Sequence, residues 1–239
     1  MHKCRTNNIG GINNMFNSKY GNVLTVLLII IIIAIIGLLG YVGFNFYKKY
    51  YTDKDAQTFI EQYEKDINTT DNSVNNSTDI SSGTVTNPID NLTQSNSISN
   101  GATGNKTYTY KGFPVVGVIE IPKTGIKYPI LKEVTPKAIE TAVAMLYGPG
   151  PNEIGNTVII GHNYRNGAFF GKNKQLANGD IIYITDNNGT KVKYTIYNIH
   201  ITTPEDSEYM MRNTNGAREI SLSTCTDDSK QRLVIWAKE

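Results

Sequence analysis

Glu219-Ile220-Ser221-Leu222-Ser223-Thr224-Cys225, followed after a polar stretch by Arg232-Leu233-Val234-Ile235-Trp236-Ala237, reads as two consecutive β-strands. Ile220 and Leu222 supply the alternating apolar positions of the first strand, Thr226 to Gln231 form the loop, and Leu233 to Trp236 make an apolar second strand. The loop brings Cys225 and Arg232 to facing strand ends, where cross-strand neighbours lie about 5 Å apart. A thiol beside a permanent cation is suited to acyl transfer, because the cation can neutralise negative charge as it develops.

The rest of the C-terminal half reads in the same way. Val115 to Ile121, Lys127 to Leu131, Thr157 to Ile160, Asp180 to Thr185 and Lys191 to Ile201 are short apolar or alternating runs. They are separated by turn signals such as Asn178-Gly179 and Asn187-Asn188-Gly189. Thr135 to Leu146 carries the one helical pattern, with Thr135 as N-cap and Pro136 in the first turn. Many strands and little helix predict an all-β domain over residues 108–239, built as a closed or nearly closed barrel.

Upstream, the composition changes repeatedly. The chain has 239 residues, two cysteines and a formal net charge of +2. That balance argues against a disulfide framework and against nucleic acid as a partner. Residues 23–43 are apolar without a charge, a length that matches the hydrocarbon core of a bilayer. A cleaved signal peptide is the rival reading, but the run is longer than a typical signal core and no clear small-x-small site follows it. Lys3, Arg5 and Lys19 before the span nearly balance Lys48, Lys49 and Lys54 after it, so charge alone leaves the orientation open. Residues 44–67 predict a juxtamembrane helix with a weak stripe of Phe59, Ile60 and Tyr63. Residues 68–107, rich in Asn, Ser, Thr and Asp, predict a flexible polar stalk.

A reactive thiol needs a proton-transfer partner, and the folded part offers His162 and His200. His162 follows the strand Thr157 to Ile160 and Gly161, at the point where a polar loop begins, which suits a residue reaching into a shared cleft. His200 lies inside a long strand pattern and suits a place on the sheet surface. Cys225 packed as a small apolar residue, and Arg232 as an edge-strand charge, are the bland alternatives.

The Gly161-His162 pair, Ser221-Leu222-Ser223-Thr224-Cys225 as a variant of Thr-Leu-x-Thr-Cys, and Arg232 near the C-terminus together resemble the sortases of Gram-positive bacteria. The resemblance spans residues 113–237, with a body like classes A and D and a Cys/Arg segment like class B. It implies a closed eight-stranded β-barrel with one or two short helices, preceded by a single transmembrane helix. It further implies Cys225 as nucleophile, His162 as acid and base, and Arg232 as the group that orients the substrate and stabilises the oxyanion. Thr224 and Ser223 are expected to line the substrate site, and no metal or other cofactor is expected.

The implied activity is cysteine transpeptidation: cleavage of a Leu-Pro-x-Thr-Gly-type signal between Thr and Gly, then transfer of the surface protein to a cell-wall amine. The implied partners are surface proteins bearing a C-terminal sorting signal, a cell-wall precursor or peptidoglycan amine, and the membrane through residues 23–43. The resemblance also orients the chain, with residues 1–22 cytoplasmic and the barrel outside the cell. A cysteine peptidase that releases its substrate to water, or a noncatalytic tethered binding module, would share much of this organisation. Ser221 departs from the family's threonine, and the loop from Thr226 to Gln231 is short for the family. The loop Thr202 to Asn215, with Pro204, Met210 and Met211, is expected to form a wall over the substrate.

Overall fold

The computed structural model describes residues 19–72 and 106–239. Most of the expected cytoplasmic tail and most of the expected stalk lie outside the described residues. Helix α1 spans Lys19–Asn72. It contains an apolar stretch of mean hydropathy 3.3, none of it buried within the protein, long and apolar enough to cross a membrane. The chain divides into two compact units, Met1–Lys48 and Lys49–Glu239.

In the second unit the strands are β1 (Tyr108–Tyr110), β2 (Phe113–Ile121), β3 (Ile126–Leu131), β4 (Val143–Tyr147), β5 (Gly155–Ile160), β6 (Ile181–Asp186), β7 (Lys191–Thr202), β8 (Arg218–Cys225) and β9 (Arg232–Lys238). Their order is β1-β2-β3-β4-β5-β8-β9-β7-β6, and β2 also pairs with β6. That last pairing, from Gly117↔Asp186 to Glu120↔Tyr183, closes β2 to β9 into an eight-stranded barrel and leaves β1 as an appended strand. Gly117 sits where the closing strands approach, and a Cβ there would lie 2.6 Å from the Thr185 carbonyl oxygen.

The helical segment is shorter than its pattern predicts. Helix α2 covers Pro136–Thr141, capped by the Thr135 hydroxyl accepting from the Ala138 N–H, and the next residues form strand β4. Val143 and Ala144 pair with Ile130 and Leu131 in parallel. A short apolar run fits either structure when periodicity is the only guide, and here pairing with β3 on one side and β5 on the other makes it a strand.

Side chains alternate between two environments. Ile119, Ile121, Ile159, Ile182, Ile184, Ile220, Leu222 and Ile235 fill the main core. Val115, Val118, Leu131 and Ala144 instead contribute to a second buried cluster. The C-terminal part of α1 covers that second cluster, with Phe59, Ile60, Tyr63 and Ile67 packed against Tyr108, Tyr110 and the strand residues. The stripe expected of a juxtamembrane helix is thus a docking face for the barrel. Tyr63 Oη donates to Asn187 Oδ1 at 3.1 Å, and the Tyr128 hydroxyl donates to Asp53. Burial raises the Tyr63 and Tyr128 phenols well above their usual range. The C-terminal part of α1 and the barrel thus fall in one compact unit, Lys49–Glu239.

Candidate active site

Strand β5 runs parallel to β8, with Ile159↔Leu222 and Ile160↔Ser223 as their last pairs. Parallel neighbours finish at the same rim. The Gly161 N–H donates to Ser223 O at 3.3 Å and the Thr224 hydroxyl donates to Gly161 O at 2.7 Å, so the register carries on past the ladder. Continued by one more step, it sets His162 level with Cys225. Strand β9 runs antiparallel to β8 and pairs Arg232 directly with Cys225. Three neighbouring strands thus deliver these residues to one rim.

Alternation decides which way they face. Val158, Ile160 and His162 share one parity along β5, Ser221, Ser223 and Cys225 share one along β8, and Arg232, Val234 and Trp236 share one along β9. Val158 and Val234 belong to an outer cluster with Tyr209, apart from the main core of Ile159, Leu222 and Ile235. His162, Cys225 and Arg232 accordingly meet on the outer surface of the barrel. All three line a cleft of about 390 Å³. Its walls include Ile139 of α2, Leu146 of β4, and Pro204, Tyr209 and Met210 of the β7–β8 loop.

Cys225 is a free, half-buried thiol. Arg232 Nη1 donates to its sulfur at 3.0 Å. The short loop holds this register through local bonds: Thr226 N–H donates to Gln231 O at 3.0 Å, Gln231 N–H to Thr226 Oγ1 at 3.2 Å, and Lys230 N–H to Asp228 Oδ1 at 3.1 Å. The Thr226 N–H, a candidate oxyanion donor by position, is therefore committed to the turn. Burial lowers the His162 imidazole below its usual range, with the Glu140 carboxylate pulling the other way. Its backbone carbonyl accepts from Phe170 N–H at 3.1 Å. The preceding Gly161 is required by space, since a Cβ there would lie 2.9 Å from both Phe170 and Val143 side chains.

Thr224 and Ser223 also contribute to the cleft lining, yet both are buried and the Thr224 hydroxyl is engaged by Gly161. His200 stands apart on β7, edge-on to Trp236 at 4.8 Å between ring centroids, with Nδ1 2.7 Å from Asn198 Oδ1. The β7–β8 loop walls the cleft through Pro204 and Met210, as expected, whereas Met211 lines an adjacent open cleft and is 68% exposed. Among the described residues, no group of three or more His, Cys, Asp and Glu side chains is placed to hold a metal ion.

One site residue carried no sequence signal. Asn163 Nδ2 donates to the Cys225 carbonyl at 2.9 Å and to Asp227 Oδ1 at 3.0 Å. Asp227 also pairs with Lys174 at 2.7 Å, and these two contacts hold its carboxyl below the usual range. Asn163 thereby clips the loop after His162 to the loop after Cys225. An asparagine in a polar loop looks like any turn residue until the register of β5 on β8 is known.

A closed eight-stranded barrel thus carries a thiol, an imidazole and a guanidinium at one outer rim. Residues 119–239 match the family model described as the sortase domain, slightly more than half of the chain. The chain is 31% identical over 124 residues to sortase A of Bacillus anthracis, covering 51% of this chain and 58% of that protein. It thus spans somewhat over half the length of that curated relative. Sortase A from Corynebacterium diphtheriae aligns with 28% identity and a TM-score of 0.48, over 53% of this chain and 60% of that one. Sortase C-1 from Actinomyces oris aligns with 23% identity and a TM-score of 0.48, over 52% of this chain and 73% of that one. The chain belongs to the sortase family.

Proposed function

We propose that this protein is a membrane-anchored cysteine transpeptidase that cleaves a Leu-Pro-x-Thr-Gly-type sorting signal between Thr and Gly and transfers the surface protein to a cell-wall amine. The observation that carries the reading is the 3.0 Å contact from Arg232 Nη1 to the Cys225 sulfur, in a cleft that His162 also lines. The Cys225 thiolate attacks the Thr carbonyl carbon, and the C=O electron pair moves onto oxygen. Arg232, charged throughout, donates to that oxygen from a planar guanidinium. Collapse expels the glycine amine, which takes its proton from the His162 imidazolium and leaves a thioester on Cys225. An incoming amine then attacks the thioester, gives its proton to neutral His162 and releases the thiolate.

The burial that lowers His162 makes its protonated form a minority at neutral pH and a stronger acid toward the leaving amine. Thr224 and Ser223 contribute to the floor of the substrate site. The apolar part of α1 anchors the enzyme, with the N-terminus cytoplasmic and the barrel outside the cell, facing its substrates.

The test is a peptide-library cleavage assay on the full chain in detergent, with mass spectrometry of the products and a panel of added amines. Expected are cleavage between Thr and Gly, an amide product, and no turnover by Cys225→Ala. Unchanged cleavage by Cys225→Ala refutes the nucleophile, and acid as the sole product with every amine replaces transfer by hydrolysis.

A further inference from the structure

The loop that walls the Cys225 cleft is held by an arginine with no motif behind it. Arg212 lies in the β7–β8 connection, and its side chain is only 13% exposed. A charge so removed from water must be matched by partners. Arg212 has them on four strands. Its Nη1 donates to Glu219 Oε2 of β8 at 2.7 Å and to Tyr197 Oη of β7 at 2.8 Å. Its Nη2 donates to Asn156 Oδ1 of β5 at 3.1 Å and to Ser221 Oγ of β8 at 3.3 Å. The guanidinium lies 4.1 Å from the ring centre of Trp236 on β9.

The partners are joined to one another. Tyr197 Oη donates to Glu219 Oε2 at 2.6 Å, and Ser221 Oγ donates to Asn156 Oδ1 at 2.9 Å. The other end of the Asn156 amide reaches the wall itself, donating to Tyr209 O at 2.9 Å and Met210 O at 3.0 Å. Tyr209 and Met210 line the Cys225 cleft. Ser221, where the family motif has threonine, is fully buried at the centre of these bonds and both donates and accepts.

We propose that Arg212 is a positioning residue that fixes the substrate wall: it orients Asn156, which holds the Tyr209–Met210 backbone in the shape that receives the sorting peptide. This rests on the reading of the cleft as the sorting-signal site. The cluster lies on the outer face of the barrel, away from the main core, and neither Cys225, His162 nor Arg232 bonds to it. Loss of Arg212 leaves Glu219 without its cation and frees the wall to sample other conformations, so binding must select the competent one. Apparent affinity falls by the fraction of competent molecules while the chemistry is left intact. Lysine keeps a charge for Glu219 but supplies neither the planar fork nor the stacking face.

The experiment compares the full chain with Arg212→Gln, Arg212→Lys and Ser221→Ala in detergent. It measures KM and kcat on a cleavable Leu-Pro-x-Thr-Gly-type peptide, the rate of Cys225 alkylation by iodoacetamide, and amide hydrogen exchange. Expected for Arg212→Gln is a KM raised about tenfold, kcat and alkylation close to wild type, and faster exchange confined to the β7–β8 loop. Arg212→Lys recovers part of the KM loss. An unchanged KM, or exchange that rises equally across β5, β8 and β9, overturns the proposal. If Arg212→Gln does not fold, Ser221→Ala decides, and unaltered KM and loop exchange in that variant overturn the proposal. A wild-type chain that cleaves no such peptide refutes the proposed function instead, and exchange in the loop then decides the role of Arg212 alone.

Discussion

Replacing Ile60 by alanine tests whether the C-terminal part of α1 belongs to the fold of the barrel unit. Ile60 is 1% exposed and sits in a cluster with Phe59, Tyr63, Ile67, Tyr108, Tyr110, Val115 and Leu131. An Ile→Ala change at so buried a site costs about 2–5 kcal/mol, from lost transfer energy and the cavity left behind. The urea slope grows with size and lies near about 3 kcal/mol/M for a unit this large, so the unfolding midpoint should fall by about 0.7–1.7 M. Trp236, the one tryptophan in the sequence, belongs to the outer cluster of Tyr209 and Val234, so its fluorescence reports barrel unfolding rather than local fraying of the helix.

Truncation extends the same argument. Phe59, Ile60, Tyr63 and Ile67 are each at most 6% exposed. Burial of one such side chain contributes about 1.5–3 kcal/mol, so the four together contribute on the order of 6–12 kcal/mol before the cost of ordering the helix. Total domain stability is only about 5–15 kcal/mol. The ion pairs Lys127–Glu64 and Lys111–Asp55, both 2.7 Å and partly exposed, add little beside this. A chain beginning at residue 106 should therefore unfold at markedly lower urea than one beginning at Lys49. Equal midpoints for those two chains, or for Ile60→Ala and wild type, would refute the assignment of the helix to the barrel's fold.

Further expectations concern the site and its titration. Arg232→Lys, which removes the fork whose Nη1 lies 3.0 Å from the sulfur, should lower peptide turnover by about 10²–10³-fold in steady-state kinetics. Asn163→Ala breaks the clip to the Cys225 carbonyl and should lower kcat more than it raises KM, and the split between the two parameters checks it. Burial lowers both His162 and His200, so the unfolded chain binds protons before the native one as pH falls. Their contribution is fully present above about pH 6.5 and is lost as pH drops below it. A thermal melt should be flat from about pH 7 to 8 and fall below about 6.5, with a shallower fall in His162→Gln.

The strands were legible by two signals. Residues 191–201 show the period of two of a half-buried strand, whereas 157–160, 219–225 and 232–237 are short, largely apolar or small-residue runs bounded by polar loops, as strands buried on both faces tend to be. Val143–Tyr147 did not show itself, since Val-Ala-Met-Leu-Tyr suits a helix equally and only its pairing with β3 and β5 makes it a strand. Tyr108–Tyr110 carries too few residues to signal anything and owes its strand to β2. The helix stripe of Phe59, Ile60 and Tyr63 was visible, but its partner face was not, because an amphipathic pattern states that a face is covered without naming the cover.

The site divides along the same line. Cys225, His162 and Arg232 are read as candidates from residue type, strand ends and motif, all of which are local properties of the chain. Their meeting depends on β5 lying parallel to β8 with Ile160 against Ser223, and on a turn that sets Arg232 opposite Cys225. Asn163, Asn156 and Arg212 carry no local mark, since each acts on segments distant in sequence. The sequence by itself determined the apolar segment, the β character of the C-terminal domain and the reactive residue types, because these follow from composition and period. Tertiary structure alone decided that His162 lines the same cleft as Cys225, that the C-terminal part of α1 packs on the barrel, and that Arg212 bonds across β5, β7 and β8, because each depends on which segments distant in sequence pack together.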